Sequence, residues 1–299
     1  MSLKVWMVEI RAPFLLLPII LSSVGGLLAF YDGSFNSLYF GLFTVILVAL
    51  HITVNTLNEY YDHKTGIDFN TRRTIFNGGS GILQKGLLTP NQVFRVALIC
   101  FLASALLSSY LVYNVGAILL LIVVPGMMFS LFYTQLFARK MLGEISAGLG
   151  LGFLPILGSY MVNTSTISLN CIVLAVAGGI LTFNLLLLNE FPDLDADKNG
   201  GRKNLVISLG VRKAAKLYTV LTFSVYAILV LFVALGTIPP LCLLGLLTLP
   251  FAYKAVNISF IDPTKGEKFV VGQKANVQVV LLTQVLLSMG IAVSLILAI

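Results

Sequence analysis

The chain reads as an all-α polytopic membrane protein with nine transmembrane helices, and three observations lead there. Its 299 residues are 58% hydrophobic and only 10% charged. Its apolar runs reach the roughly 20 residues that a helix rising about 1.5 Å per residue needs to cross the hydrocarbon core. Its 19 Lys and Arg residues are confined to alternate connections, the asymmetry known as the positive-inside rule.

In order, the spans run from Pro13 to Phe30, Leu38 to Leu57, Ala97 to Tyr113, Val115 to Phe132, Ile145 to Val162, Ser168 to Leu188, Leu217 to Leu235, Ile238 to Tyr253 and Val277 to Ala298, the eighth being short. The basic residues lie at the N-terminus and after the second, fourth, sixth and eighth spans: Lys64 to Arg95, Arg139 and Lys140, Lys198 to Lys216, and Lys254 to Lys274. The opposite connections carry none. This places the N-terminus and the four basic connections in the cytoplasm and the C-terminus outside, in a cell membrane.

The net charge of +7 is mainly that topological signal, with attraction to anionic membrane lipid as an addition. No nucleic-acid module is visible, and no protein partner is implied. Cys100, Cys171 and Cys242 sit in or beside apolar runs without metal spacing, so they read as small hydrophobes. Glu9 and Arg11 precede the first span with no small-residue cleavage site, so no cleavable signal peptide is expected.

Two strings carry the chemistry. Asn58-x3-Asp62, with Asp68 downstream, closes the second span; Asn189-x3-Asp193, with Asp197 downstream, closes the sixth. Carboxylates at the end of a membrane helix are expensive to keep there, and two matched clusters point to a bound cation between them. Residues four apart stack on one helix face, so Asn58 with Asp62, and Asn189 with Asp193 and Asp197, each present oxygens along a stripe. Oxygen-only ligands suit Mg²⁺. Pro192 disfavours helix at Phe191, which predicts an unwound or kinked segment there.

Both motifs are followed by Gly and by Lys or Arg: Arg72, Arg73 and Gly78 to Gly81 after the first, Arg202 and Lys203 after the second. Basic groups beside a Gly-rich turn can cradle phosphate, although Gly78 to Gly81 reads equally as a flexible turn. Equivalent positions after spans two and six fit a single domain over 1–299. It is built of two four-helix units, halves of about 1–140 and 141–260, plus a ninth helix. His51, two turns before Asn58, reads as a buried hydrogen-bonded histidine or, less simply, as a base. Arg139 and Lys140 read as topological anchors or, beside Tyr133 and Thr134, as functional groups.

With these residues in view the chain resembles the UbiA-type intramembrane prenyltransferases. The shared features are nine spans, acidic motifs after spans two and six, and Tyr133-Thr134 after span four. The spacing Asn58-x3-Asp62-x5-Asp68, the run Leu83 to Thr89 and the run Asn204 to Gly210 are similar to the dihydroxynaphthoate, or menaquinone, branch. Glu59 stands where that family usually has Asp, and the stretch from Thr74 to Gly81 differs from the loop of the best-known naphthoate enzymes.

The resemblance implies transfer of a prenyl group from a polyprenyl diphosphate to a small aromatic acceptor. The acceptor would be 1,4-dihydroxy-2-naphthoate in quinone biosynthesis, or alternatively 4-hydroxybenzoate, homogentisate or a lipid precursor. It implies Mg²⁺ held by Asp62 and Asp68 on one side and Asp193 and Asp197 on the other, with Asn58 and Asn189 completing the ligands. Diphosphate contacts would come from Arg11, Arg72, Lys140, Arg202 and Lys203, and Phe132 and Tyr133 would shield the allylic cation. Two rivals are an ion-coupled transporter with midplane carboxylates and a phosphatidyl-group transferase, whose Asp-Gly-x2-Ala-Arg signature is absent.

Overall fold

The computed structural model describes residues 2–70, 73–264 and 266–298. Among them every regular element is helical. Eight helices are long and apolar enough to cross a membrane: Ala12–Tyr31, Ser37–Thr65, Pro90–Val115, Gly143–Thr164, Leu169–Asn189, Val211–Ala234, Pro240–Ser259 and Gly266–Leu297. Ala117–Phe132 is apolar but shorter. Together they are the nine expected spans, counted below in chain order with Ala117–Phe132 as the fourth.

Local chemistry sets where these helices begin and end. Asn36 and Ser168 accept bonds from the amides of Tyr39 and Cys171, and Thr89 with Gln92 forms a reciprocal capping box ahead of Pro90. The second span runs well past its apolar stretch to Thr65, and Gly66 stops it in the left-handed region at φ 77°. The eighth span, short by sequence, opens with a 3-10 stretch, Pro240–Thr248. A 3-10 helix rises about 2.0 Å per residue, which extends its reach. The sixth span stops at Asn189, and a new short helix, Leu194–Asn199, starts beyond Pro192. Asn189, Asp193 and Asp197 therefore do not share one helical stripe, because proline cannot continue the hydrogen-bond ladder.

The second span packs on the third, the first on the fifth, and the ninth on the first, sixth and eighth. Lipid is as apolar as leucine, so association here depends on close packing and on polar contacts between helices. A Cβ on Gly25 would lie 2.1 Å from the Ile156 carbonyl oxygen, and one on Gly152 would lie 2.6 Å from that of Gly178. Ser159 Oγ donates to the Ser22 carbonyl at 2.6 Å, and Asn184 Nδ2 donates to Thr222 Oγ1 at 2.9 Å. Leu106, Val220 and Ile99 face outward, as lipid contact requires.

At the end of the bundle where the second and sixth spans finish, Ile82, Leu83, Leu88 and Val93 form a small core. Val5, Trp6 and Tyr60 pack against it, which pins the N-terminal helix Leu3–Glu9 beside the loop after the second span. That end holds the polar chemistry.

The glycine contacts generate a test of the packing. Gly152→Val should destabilise the detergent-solubilised protein by about 1–3 kcal/mol through overpacking. Gly41→Ala, whose added Cβ meets nothing within 4 Å, should be neutral or slightly stabilising. Thermal unfolding of the two variants beside the unsubstituted chain reads the difference; equal midpoints would contradict the close approach of the fifth and sixth spans.

Candidate active site

The second and sixth spans end at the mouth of one cavity of about 290 Å³. Its deep walls are apolar, among them Phe43, Ile46, Leu50, Met127 and Leu154. Its mouth is lined by Arg11, Asn58, Asp62, Asp68, Tyr133, Asn189, Asp193, Asp197 and Arg202, nine of the twelve residues singled out from sequence. Lys140 and Lys203 do not reach it. Both side chains are exposed, and what the Lys203 segment contributes is backbone: its amide donates to the Ala138 carbonyl and its carbonyl accepts from Met141. Arg72 lies outside the described residues.

The two motifs are joined by a guanidinium. Arg202 forms ion pairs with Asp62 and with Asp197, the latter at 3.1 Å. Asn58 Nδ2 donates to Asp62 Oδ2 at 2.9 Å, and Asn204 Nδ2 donates to Asp197 Oδ2 at 3.1 Å. Asp62 and Asp197 are thereby held toward each other although 135 positions separate them in the chain.

A second bridge was missed by sequence reasoning. Asn77 Nδ2 donates to Asp193 Oδ2 at 2.7 Å and to the Asn189 carbonyl at 2.6 Å. Gln273 Nε2, from the ninth span, donates to Asn77 Oδ1 at 2.6 Å and to Asn189 Oδ1 at 3.1 Å. Both amides are buried. No local signal marked them: Gln273 lies among Lys268, Lys274, Asn276 and Gln278, before the apolar run of the ninth span, and Asn77 lies in a loop.

The Gly-rich loop serves as a bracket. Glu59, wholly buried, accepts from Arg11 Nη2 at 2.6 Å and from the Ser80 amide at 2.8 Å. The Ser80 amide is thus committed to a carboxylate and is not offered to phosphate. Arg73 Nε donates to the Gly78 carbonyl at 2.9 Å, closing the same turn. Gly79 has φ 67°, and a Cβ there would lie 2.6 Å from Asp68 Oδ2, so the loop approaches Asp68 only as glycine. Glu59 in place of Asp supplies the length to span this gap; it does not line the cavity.

The electrostatics are those of surplus negative charge in a poorly hydrated place. Burial, then repulsion from Asp62, pushes the Asp68 carboxyl up to about 7. Burial also pushes Asp193 up to about 6, against the hydrogen bond from Asn77, which favours the ionised form. Burial raises Asp197 as well, with Arg202 opposing. Four aspartates face two guanidinium groups, and Arg11 is already committed to Glu59.

Among the described residues no three His, Cys, Asp or Glu side chains stand close enough to share a metal ion. The donor chemistry nonetheless fits Mg²⁺. All donors are oxygen, negative charge is in excess, and a guanidinium already occupies a cation's place between the motifs. Mg²⁺ characteristically takes one or two carboxylates and completes its octahedron with water and substrate phosphate, without an all-protein cage.

The family model described as the UbiA prenyltransferase family matches residues 16–295. The 1,4-dihydroxy-2-naphthoate octaprenyltransferase of Bacillus subtilis is 28% identical over 274 residues, covering 91% of this chain and 86% of its own. The 2-carboxy-1,4-naphthoquinone phytyltransferase of Synechocystis is 25% identical, covering 85% and 82%. A UbiA homolog from Archaeoglobus fulgidus, solved with GPP and Mg²⁺, superposes with a TM-score of 0.66 at 13% identity over 92% of this chain and 99% of that one. The apo UbiA homolog from Aeropyrum pernix K1 gives 0.67 at 14% identity, over 94% and 98%. These two structures share the fold. With the family model spanning nearly its whole length, the chain belongs to the UbiA prenyltransferase family.

Proposed function

We propose that this prenyltransferase moves a prenyl group from a polyprenyl diphosphate to 1,4-dihydroxy-2-naphthoate, with Mg²⁺, as a step of quinone biosynthesis. The observation that carries the reading is the convergence of the two acidic motifs on one cavity with apolar depth. The similarity to naphthoate prenyltransferases and to a homolog solved with GPP and Mg²⁺ supports the acceptor and the metal. The basic connections at the site end favour a cytoplasmic mouth, with the N-terminus inside and the C-terminus outside. The single-domain reading, with halves of about 1–140 and 141–260, accounts for one acidic motif after the second span and one after the sixth.

In this proposal Asp62 and Asp68, with Asn58, and Asp193 and Asp197, with Asn189, hold the metal. Bound Mg²⁺ supplies positive charge against the diphosphate as the allylic carbon–oxygen bond breaks. Arg202 would present guanidinium donors toward the same oxygens, and Arg11, already paired with Glu59, would be the weaker contact, whereas Lys140 and Lys203 point to solvent and act on charge at longer range. Phe129 and Tyr133 line the cavity beside the mouth, where their faces shield an allylic cation from water, whereas Phe132 is exposed and does not line it. The deep apolar wall receives the prenyl tail. The acceptor ring carbon forms the new bond, and its carboxylate leaves as CO₂, the released electron pair restoring the ring. The carboxylates sit at helix ends and not at mid-span, which favours the enzyme over an ion-coupled transporter.

Three tests follow. Asp62→Asn and Asp193→Asn should each lower turnover about a hundredfold or more while thermal unfolding stays cooperative; near-normal turnover in either would contradict the assignment. Gln273→Leu removes the amide that orients Asn77 and Asn189 and should raise the Mg²⁺ concentration for half-maximal rate by about tenfold. A lowered maximal rate at unchanged Mg²⁺ requirement would mean that Gln273 serves folding only. Asp68 and Asp193 hold protons below about 7 and about 6, and a metal ligand must be ionised. Apparent Mg²⁺ affinity should therefore climb with pH through 6 to 7 and level off above, with proton release measurable by calorimetry in buffers of different ionisation enthalpy.

A further inference from the structure

The N-terminal helix Leu3–Glu9 and the loop over 73–81 enclose a second cavity, of about 640 Å³, for which the reaction above has no use. Arg11, Phe14, Phe76, Asn77 and Gly79 line this cavity and the main one alike. The two spaces are therefore separated by a single layer of side chains. On the outer side the walls are Met7, Val8 and Ile75, with Lys4 and Thr74 at the rim.

Hydrogen bonds position the partition. Ser80 Oγ lies 2.7 Å from Glu9 Oε2 and 2.9 Å from Glu59 Oε2, tying the N-terminal helix to the loop. Arg11 takes a left-handed backbone conformation, φ 55°, which turns the chain from that helix into the first span. Glu59 neutralises Arg11, and no carboxylate is among the described residues that line the space. Lys4 is exposed, and no carboxylate pairs with it among the described residues.

Apolar and aromatic walls with a cation at the rim match a flat aromatic carboxylate. The acidic mouth of the main cavity repels such an anion, whereas the second cavity does not. We propose that the second cavity is an entry vestibule for the aromatic acceptor. It takes a small planar aromatic carboxylate at Lys4 and passes it across the Arg11–Phe76 partition to the main cavity. The proposal rests on the acceptor class given above.

The experiment is photolabelling of the full chain in detergent with an aryl azide derivative of a hydroxynaphthoic acid, followed by peptide mapping. Labels within 4–8 and 74–76, retained with saturating prenyl diphosphate and with excess phosphatidylglycerol, are expected. Lys4→Glu should raise KM for the acid about two- to fivefold, the scale of one exposed charge contact, with kcat and KM for the prenyl diphosphate unchanged. Val8→Phe, which narrows the space, should shift the same constant. Labels confined to deep residues such as Leu50 and Met127, or labels displaced by phosphatidylglycerol, would overturn the vestibule. Failure of every aromatic acid to be prenylated would refute the acceptor class instead, and the label map would still report on the cavity.

Discussion

Everything at the working end of this molecule answers to one constraint: carboxylates gathered where water is scarce need positive charge and hydrogen-bond donors. Arg202 meets that need by pairing with Asp62 and Asp197 together. A buried ion pair of this kind is a poor source of net stability, because taking both charges out of water costs about as much as their attraction returns. Its value is geometric. It holds two motifs from distant parts of the chain at the separation where a common ligand can meet both.

The surrounding fold is arranged to keep that geometry. The first motif rides on a helix that overruns its apolar stretch, and Gly66 sets where it stops. The second rides on a helix that proline cuts short, and the freed Asn189 carbonyl is taken up by Asn77. Asn77 in turn is fixed by Gln273, so the ninth span, which carries none of the acidic residues at the cavity mouth, still orients the site. The glycine contacts between spans supply the rigidity on which these polar links depend.

Much of this was legible in the sequence, and the illegible part has a common cause. Run length and the placement of Lys and Arg reveal nine spans because both follow from the bilayer itself. The aspartate spacings were readable because charged residues in apolar surroundings are rarely idle. Asn77 and Gln273 stand 196 positions apart and meet only in the folded bundle. Neither has a local pattern to announce it. Lys140 and Lys203 were ambiguous for another reason: a lysine beside a motif looks the same whether it points inward or, as here, to solvent. The Gly78 to Gly81 turn was ambiguous because glycine marks close approach without saying to what; here Gly79 approaches Asp68 and Glu59, and Gly78 and Gly81 approach Arg73.

The ends of the second and sixth spans have a further consequence. Both helices arrive at the cavity by their carboxyl ends, so the aligned peptide dipoles add partial negative charge to that of the aspartates. Phosphate sites elsewhere are commonly made from helix amino ends, and these two long helices present the reverse polarity. A bare pyrophosphate finds a repulsive field there and a cation an attractive one. On the proposed reading, the polarity of the backbone itself imposes an order of loading, in which magnesium arrives before the prenyl donor or as its escort.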